Sequence, residues 1–227
     1  MTEAQNNNKA LILFSGGQDS TTCLAWALEN FDHVEAVVFD YGQRHQVELE
    51  AAAKIAATTN VPLKTVKLDI FSQLTDNALT NHDKELTPGN EEELPSSFVP
   101  GRNLIFLSTA AIHAQQQGIT NLITGVCQTD YSGYPDCRDD FVKSLETTIN
   151  LAMESKIRIH TPLMFLTKAE TVKMMMDLGK IGLLADSHTC YEGQRPACGK
   201  CPSCKLRLKG FEEAGVEDPV GYDGKNI

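Results

Sequence analysis

The 227-residue sequence predicts an α/β protein built on a doubly wound parallel sheet, followed by a cysteine-rich C-terminal segment. Three observations predict it. Ala10 to Thr22, ALILFSGGQDSTT, reads as a buried strand that turns through two glycines into a helix. Strand-like and helix-like segments then alternate with short links along most of the chain. Four cysteines gather near the end in CYEGQRPACGKCPSC.

The first strand is the apolar run from Ala10, and Gly16 and Gly17 turn it into a helix whose Cys23, Leu24, Ala27 and Leu28 recur at helical spacing. Val34 to Asp40, VEAVVFD, is the second strand, Gln46 to Thr59 an alanine- and glutamate-rich helix, and Pro62 to Leu68 a third strand. Phe71 to Ser97 breaks the alternation. It is polar, contains Pro88-Gly89-Asn90 and three glutamates, and reads as a long excursion: a lid over the site, or a solvated loop without a role. The pattern resumes with a helix over Leu104–Gln117, a strand over Ile119–Thr124, and a helix over Phe141–Met153. A short strand at Arg158 and Ile159 and a helix over Lys168–Leu178 complete it. The expected organisation is a tail at 1–8, an α/β domain at 9–185 with the excursion at 71–97, and a C-terminal segment at 186–227 packed on that domain.

Composition limits the function. With 41% apolar residues the chain can bury one sizeable core, and the polar start MTEAQNNNK carries neither an export signal nor a membrane span. A cytoplasmic protein is expected, with no membrane partner. A formal charge of −10 disfavours a broad phosphate-backbone interface, so no nucleic-acid partner is expected.

The glycine turn is a phosphate cradle. Gly16 and Gly17 let backbone amides approach an anion, the helix N-terminus adds its positive end, and Ser15, Ser20, Thr21 and Thr22 add hydroxyls. A phosphate loop of the G-x-x-x-x-G-K-[ST] form would carry a lysine, whereas here Asp19 stands in the turn. The SGGxDS form resembles the PP-loop of ATP pyrophosphatases, of the adenine nucleotide alpha hydrolase-like type. That resemblance implies a grip on the pyrophosphate end of ATP that leaves the α-phosphorus open to attack by a substrate oxygen. Asp19 then meets the phosphates through Mg²⁺, because a bare carboxylate would repel them.

Cys190, Cys198, Cys201 and Cys204 combine two C-x-x-C spacings with a ligand further upstream, the pattern of one structural Zn²⁺ per chain. A four-thiolate shell leaves no open position and a net −2, which Arg195, Lys200, Lys205, Arg207 and Lys209 are placed to offset. A disulfide, disfavoured in a reducing compartment, and a redox C-x-x-C compete with this reading. Cys23 reads as core packing.

A third constellation follows the fourth strand, GVCQTDYSGYPDCRDDF from Gly125 to Phe141. Asp130 and Asp136 can accept from ring N–H and amino groups, Tyr131 or Tyr134 can stack on a planar ligand, and Arg138 can pair with a carboxylate. An acidic solvated loop is the plainer reading. Arg102, at the helix start in VPGRN, and Lys168, at the helix start in LTKAET, are candidate cations for the reacting phosphorus. Asp40 ends the strand beside the loop, and His160 reads as structural.

With SGGQDSTT, FDYGQRH, VPGRNLIFLS, DYSGYPDCR, TPLMFLTKAET and the cysteine cluster in one order, the chain resembles the 7-cyano-7-deazaguanine synthase family of queuosine biosynthesis from about Ala10 to Ala214. The resemblance implies an ATP-dependent carbon–nitrogen ligase acting on 7-carboxy-7-deazaguanine and ammonia. By position, Phe14, Ser15, Gly16, Gly17, Gln18, Asp19, Ser20, Thr21, Thr22, Cys23 and Leu24 are its ATP loop. Asp130 to Arg138 line its deazapurine pocket, the four cysteines hold zinc, and a homodimer is implied. Two other classes compete with this one. A tRNA-thiolating PP-loop enzyme would be expected to carry an RNA-binding extension and a reactive cysteine pair, here Cys127 and Cys137. A zinc-ribbon interaction module would leave the ATP loop unexplained.

Overall fold

The computed structural model describes residues 8–43, 46–75, 77–79, 87, 94–129 and 134–224. Five parallel strands form one sheet: β1 (Lys9–Leu13), β2 (His33–Asp40), β3 (Leu63–Lys67), β4 (Asn121–Ile123) and β5 (Arg158–His160), in the order β3-β2-β1-β4-β5. The chain winds outward from β1 in one direction and then returns past it in the other. The sheet therefore reverses direction between β1 and β4, and ligands of such sheets sit outside the carboxyl ends at that point.

Alternation along each strand explains why helices cover both faces. Ala10 and Ile12 of β1, with Ala36 and Val38 of β2, pack with Cys23, Leu24 and Ala27 of α1 (Gln18–Asn30) and Ile55 of α2 (Val47–Thr58). Leu11, Val37 and Phe39 point the other way, to Leu107 and Ala111 of α4 (Arg102–Gln116) and Leu145 and Ile149 of α5 (Asp139–Met153). On the outside of α1, Ala25 packs on Val172 and Met175 of α6 (Lys168–Asp177) and on Phe211 of α7 (Pro202–Ala214).

The doubly wound parallel sheet is the fold the sequence predicts, and the element boundaries depart from the pattern where tertiary contacts decide them. α4 starts at Arg102, two residues before the apolar periodicity, because Gly101 takes a left-handed φ of +71° and the Asp136 carboxylate accepts from Asn103 N at 3.1 Å. A short helix α3 (Ile70–Leu74) opens the expected excursion, and Phe71, Ala78 and Leu79 are buried. Those residues anchor the excursion to the core, while Leu74, Thr87 and Leu94 are exposed. Positions 76, 80–86 and 88–93 lie outside the described residues, as does the expected tail apart from Asn8, which bonds Asp32. The helix α7 falls within the segment read from its cysteines alone.

Candidate active site and metal centre

The glycine turn leaves β1 at its carboxyl end and enters α1 with no side chain capping the helix, so its first amides have no side-chain acceptor at the N-cap. Gly16 has φ +79°, and a Cβ there would lie 2.5 Å from Ala52 N and 2.7 Å from Glu48 O. The loop is therefore pressed onto the first turns of α2. Behind it, the Ser15 and Ser20 hydroxyls are 3.2 Å apart, and Gly17 N donates to Ser15 Oγ at 3.3 Å. Thr21 and Thr22 are fully buried and donate to the carbonyls of Gly17 and Gln18, while Phe14, Cys23 and Leu24 belong to the core. The expected ATP stretch thus divides into a turn, Ser15 to Ser20, in which Ser15 is exposed and Gly17 and Asp19 are half-buried, and a fully buried part that holds it. Within the first part, the Gln18 side-chain amide is buried with no hydrogen-bond partner among the described residues.

The turn is surrounded by late parts of the chain. Lys168 Nζ binds both oxygens of Asp19, at 2.7 and 2.8 Å, and is only 9% exposed. Gly125, just after β4, sits where a Cβ would be 3.1 Å from the Asp19 carbonyl carbon. His188 N donates to Gly16 O at 2.9 Å. Both expected cations occupy the first position of a helix, Arg102 on α4 and Lys168 on α6, against the positive end of the helix dipole. A cation at that position costs stability unless an anion or acceptor compensates it. Lys168 has Asp19; Arg102 has Tyr41, Tyr134, Tyr191 and Asp136, which hold its charge despite burial.

Those partners form a polar aromatic cluster beyond the ends of β2, β1 and β4. Tyr134 exchanges a 2.6 Å hydrogen bond with Ser97 and packs 5.5 Å from the Phe98 ring. Asp136 is buried as the acceptor at the start of α4, and Asn103 Nδ2 returns a bond to its carbonyl at 3.0 Å. Arg138 is exposed at the start of α5, two residues after the buried Asp136. Asp130 and Tyr131 lie outside the described residues. Asp40 ends β2 and accepts from Gly42 N at 3.3 Å. His160 bonds Asn121 at 3.0 Å and packs on Trp26 and Phe31, a structural setting.

Two members of the cluster escape sequence reasoning, Glu48 and Tyr191. Glu48 lies in the first turn of α2, whose amphipathic pattern reads as solvated glutamates, and Tyr191 is hidden beside the metal pattern. Burial pushes the Glu48 carboxyl up to about 7, with Arg102 pulling it back. Its proton is held by the folded chain above the pH at which an unfolded glutamate loses it. This contribution to stability is therefore complete below pH 4.5 and lost as pH rises to about 7. Glu48→Gln is expected to flatten that part of the profile, measured by urea unfolding from pH 4.5 to 8.

Cys190, Cys198, Cys201 and Cys204 are buried, with all four sulfurs within 4.8 Å of one another. Four sulfurs around a tetrahedral ion at about 2.3 Å would stand about 3.8 Å apart, so the set fits a metal ion. Amides of Lys200 and Cys201 donate to Cys198 Sγ at 3.4 and 3.3 Å, and Cys201 caps α7 by accepting from Cys204 N at 3.5 Å. Without a cation the thiols cannot ionise together: the thiols of Cys201 and Cys204 hold Cys190 low, and Cys190 in turn pushes both of them up. The expected offset of thiolate charge by flanking cations is corrected at Arg207. It is 1% exposed and makes a two-pronged bond with Asp218, at 2.8 Å on each arm. Arg195 similarly reaches Glu50 at 3.3 Å.

Cys127 and Cys137 are poor candidates for a reactive pair. Burial and Asp136 push Cys137 up to about 12, and Cys127 donates to Leu166 O at 3.2 Å. Cys23 is in the core, as expected.

The family described as queuosine biosynthesis protein QueC matches residues 9–215. This chain belongs to that family. Among its curated relatives, the 7-cyano-7-deazaguanine synthase of Bacillus subtilis is 54% identical over 207 residues, 90% of this chain and 94% of the relative. That of Chromobacterium violaceum is 53% identical over 221 residues, 95% of this chain and 94% of the relative. The QueC match begins at the first residue of β1 and runs through α7, so it takes in the glycine turn, the aromatic cluster and the cysteine centre together.

Proposed function

We propose that the chain is a carbon–nitrogen ligase that makes 7-cyano-7-deazaguanine, for queuosine biosynthesis, from 7-carboxy-7-deazaguanine, ammonia and ATP. The family match over nearly the whole folded chain carries this reading. The open amides of α1 beside Lys168 and Asp19 support ATP as the activating substrate.

A carboxylate resists ammonia because oxide cannot leave. Attack of a carboxylate oxygen on the α-phosphorus of ATP forms an acyl adenylate and releases pyrophosphate; ammonia then displaces AMP and, after losing a proton, leaves the amide. The amide oxygen attacks a second ATP in the same way, and loss of AMP and of both protons on the nitrogen leaves the nitrile. One site performs one activation twice. Its contribution is positioning and charge: loop amides for the departing pyrophosphate, and Lys168 and Arg102 for charge on the α-phosphoryl group. Asp19 and the Ser15 and Ser20 hydroxyls offer oxygen donors suited to Mg²⁺, which neutralises the phosphates when bound. Tyr41, Tyr134, Tyr191, Glu48 and Asp136 provide the acceptors and ring faces a flat deazapurine needs, with Asp130, Tyr131 and Arg138 as further contacts and Asp40 toward the nucleoside of ATP.

The cysteine centre holds one structural Zn²⁺. Chelation, or Cys201→Ser, is expected to lower the melting temperature by roughly 10 °C while kcat of the folded fraction at saturating ATP stays within about twofold, followed by calorimetry and AMP release. A homodimer, for which the exposed apolar Ile112 on α4 and Leu151 on α5 speak, and a cytoplasmic location complete the proposal. Among the described residues no helix is long and apolar enough to cross a membrane. The deciding test is incubation with 7-carboxy-7-deazaguanine, ammonium, Mg²⁺ and ATP, read by mass for amide and nitrile. Appearance of neither product overturns the reading.

A further inference from the structure

Two independent contacts run from the cysteine-capped helix α7 to the glycine turn. The first is steric. Gly210 lies in the middle of α7 against the stem of Lys168, so that a Cβ there would stand 2.8 Å from Lys168 Cβ, 3.0 Å from its Cγ and 3.2 Å from its carbonyl carbon. These are the fixed end of the side chain and the backbone of α6, which cannot swing aside. The other end of that stem is the ammonium on Asp19. The second contact is a strap. Arg207, one turn earlier on α7 and anchored by Asp218, donates to Leu184 O at 3.0 Å, Ser187 Oγ at 2.7 Å and Thr189 Oγ1 at 3.2 Å. The segment so fixed contains His188, whose amide holds Gly16 O at 2.9 Å and whose ring bonds Cys190 O at 3.1 Å.

We propose that α7 is a positioning element for the nucleotide site, in which Gly210 sets the reach of Lys168 toward Asp19 and Arg207 sets the segment that grips Gly16. This rests on the reading that ATP binds at the turn. The cysteine centre fixes the N-terminal end of α7, and α7 transmits that placement to the two groups nearest the phosphates. Gly210 is a positioning residue: it touches no substrate and acts through Lys168.

The test uses the full-length holoprotein and a non-hydrolysable ATP analogue with Mg²⁺, titrated by calorimetry, with bound zinc assayed by metal analysis and stability by thermal melting. Gly210→Ala is expected to weaken the analogue about tenfold and raise KM for ATP in step, with zinc content unchanged. The control is Gly215→Ala, at the C-terminal cap of the same helix, where φ is +75° and nothing lies within 4 Å of the added methyl. It is expected to lower the melting temperature and leave analogue affinity alone. Unchanged affinity in Gly210→Ala, or affinity lost by both variants in proportion to their loss of stability, overturns the proposal. If the parent protein itself fails to bind the analogue, the ATP reading falls, and the positioning role with it.

Discussion

Asp19→Ala is expected to reduce turnover by about 10³-fold or more, roughly 4 kcal/mol of lost transition-state stabilisation, while the protein stays folded. The size follows from two roles in one carboxylate. It is the acidic oxygen donor next to the open amides of α1, where a cation must sit if phosphates are to approach it, and it is the bidentate partner of Lys168. Removing it frees the Lys168 ammonium to collapse onto the phosphates in the ground state, which tightens binding of the wrong state and does nothing for the departing pyrophosphate. Asp19 is partly exposed on the first turn of α1 and the core residues Cys23, Leu24 and Ala27 lie behind it, so the fold survives, with a loss of a few degrees in melting temperature because the largely buried Lys168 ammonium loses its carboxylate. Release of AMP and pyrophosphate measures the first effect, and a melting curve within a few degrees of the parent measures the second. A variant that keeps a tenth of the parent rate would remove Asp19 from the chemistry.

The second large effect is expected at Gly16. Gly16→Ala places a methyl 2.5 Å from Ala52 N and 2.7 Å from Glu48 O, both backbone atoms of a packed helix, at a φ of +79°. Neither atom can rotate away, so either the turn or α2 must move, and the expected loss is at least about 3 kcal/mol of stability. Gly42→Ala separates the two causes. Its φ is +77° but nothing lies within 4 Å of the added methyl, so it carries the conformational cost alone, on the order of 1 kcal/mol. Chemical denaturation of both variants reads the difference directly; equal losses would mean that contact with α2 contributes nothing.

The parts of this site that were legible in the sequence are those whose chemistry is local. A strand, two glycines and a helix start lie within one short stretch, and the cysteine spacings carry a metal geometry on their own. Arg102 and Lys168 were legible because each opens a helix beside a proline- or threonine-marked turn. Glu48, Tyr191, His188 and Arg207 were not, because each owes its role to where distant segments converge. Glu48 belongs to a helix whose sequence fits a solvated surface, and only the fold brings Arg102, at the start of α4, close enough to act on its charge. Arg207 reads as one more cation near thiolates until Asp218, beyond the end of the helix, claims it. The first turn of α4 extends ahead of its apolar periodicity for a similar reason: the acceptor of Asn103 N, Asp136, comes from a later loop.

The Arg207–Asp218 pair also bears on synthesis. Gly16 emerges from the ribosome well before Arg207 and Asp218, the pair that fixes the strap holding it. At about 5–20 residues per second, a nascent chain spends on the order of ten seconds or more with its glycine turn made and its clamp absent. Late completion of the clamp leaves the grip on Gly16 O unsecured until Asp218 has been made.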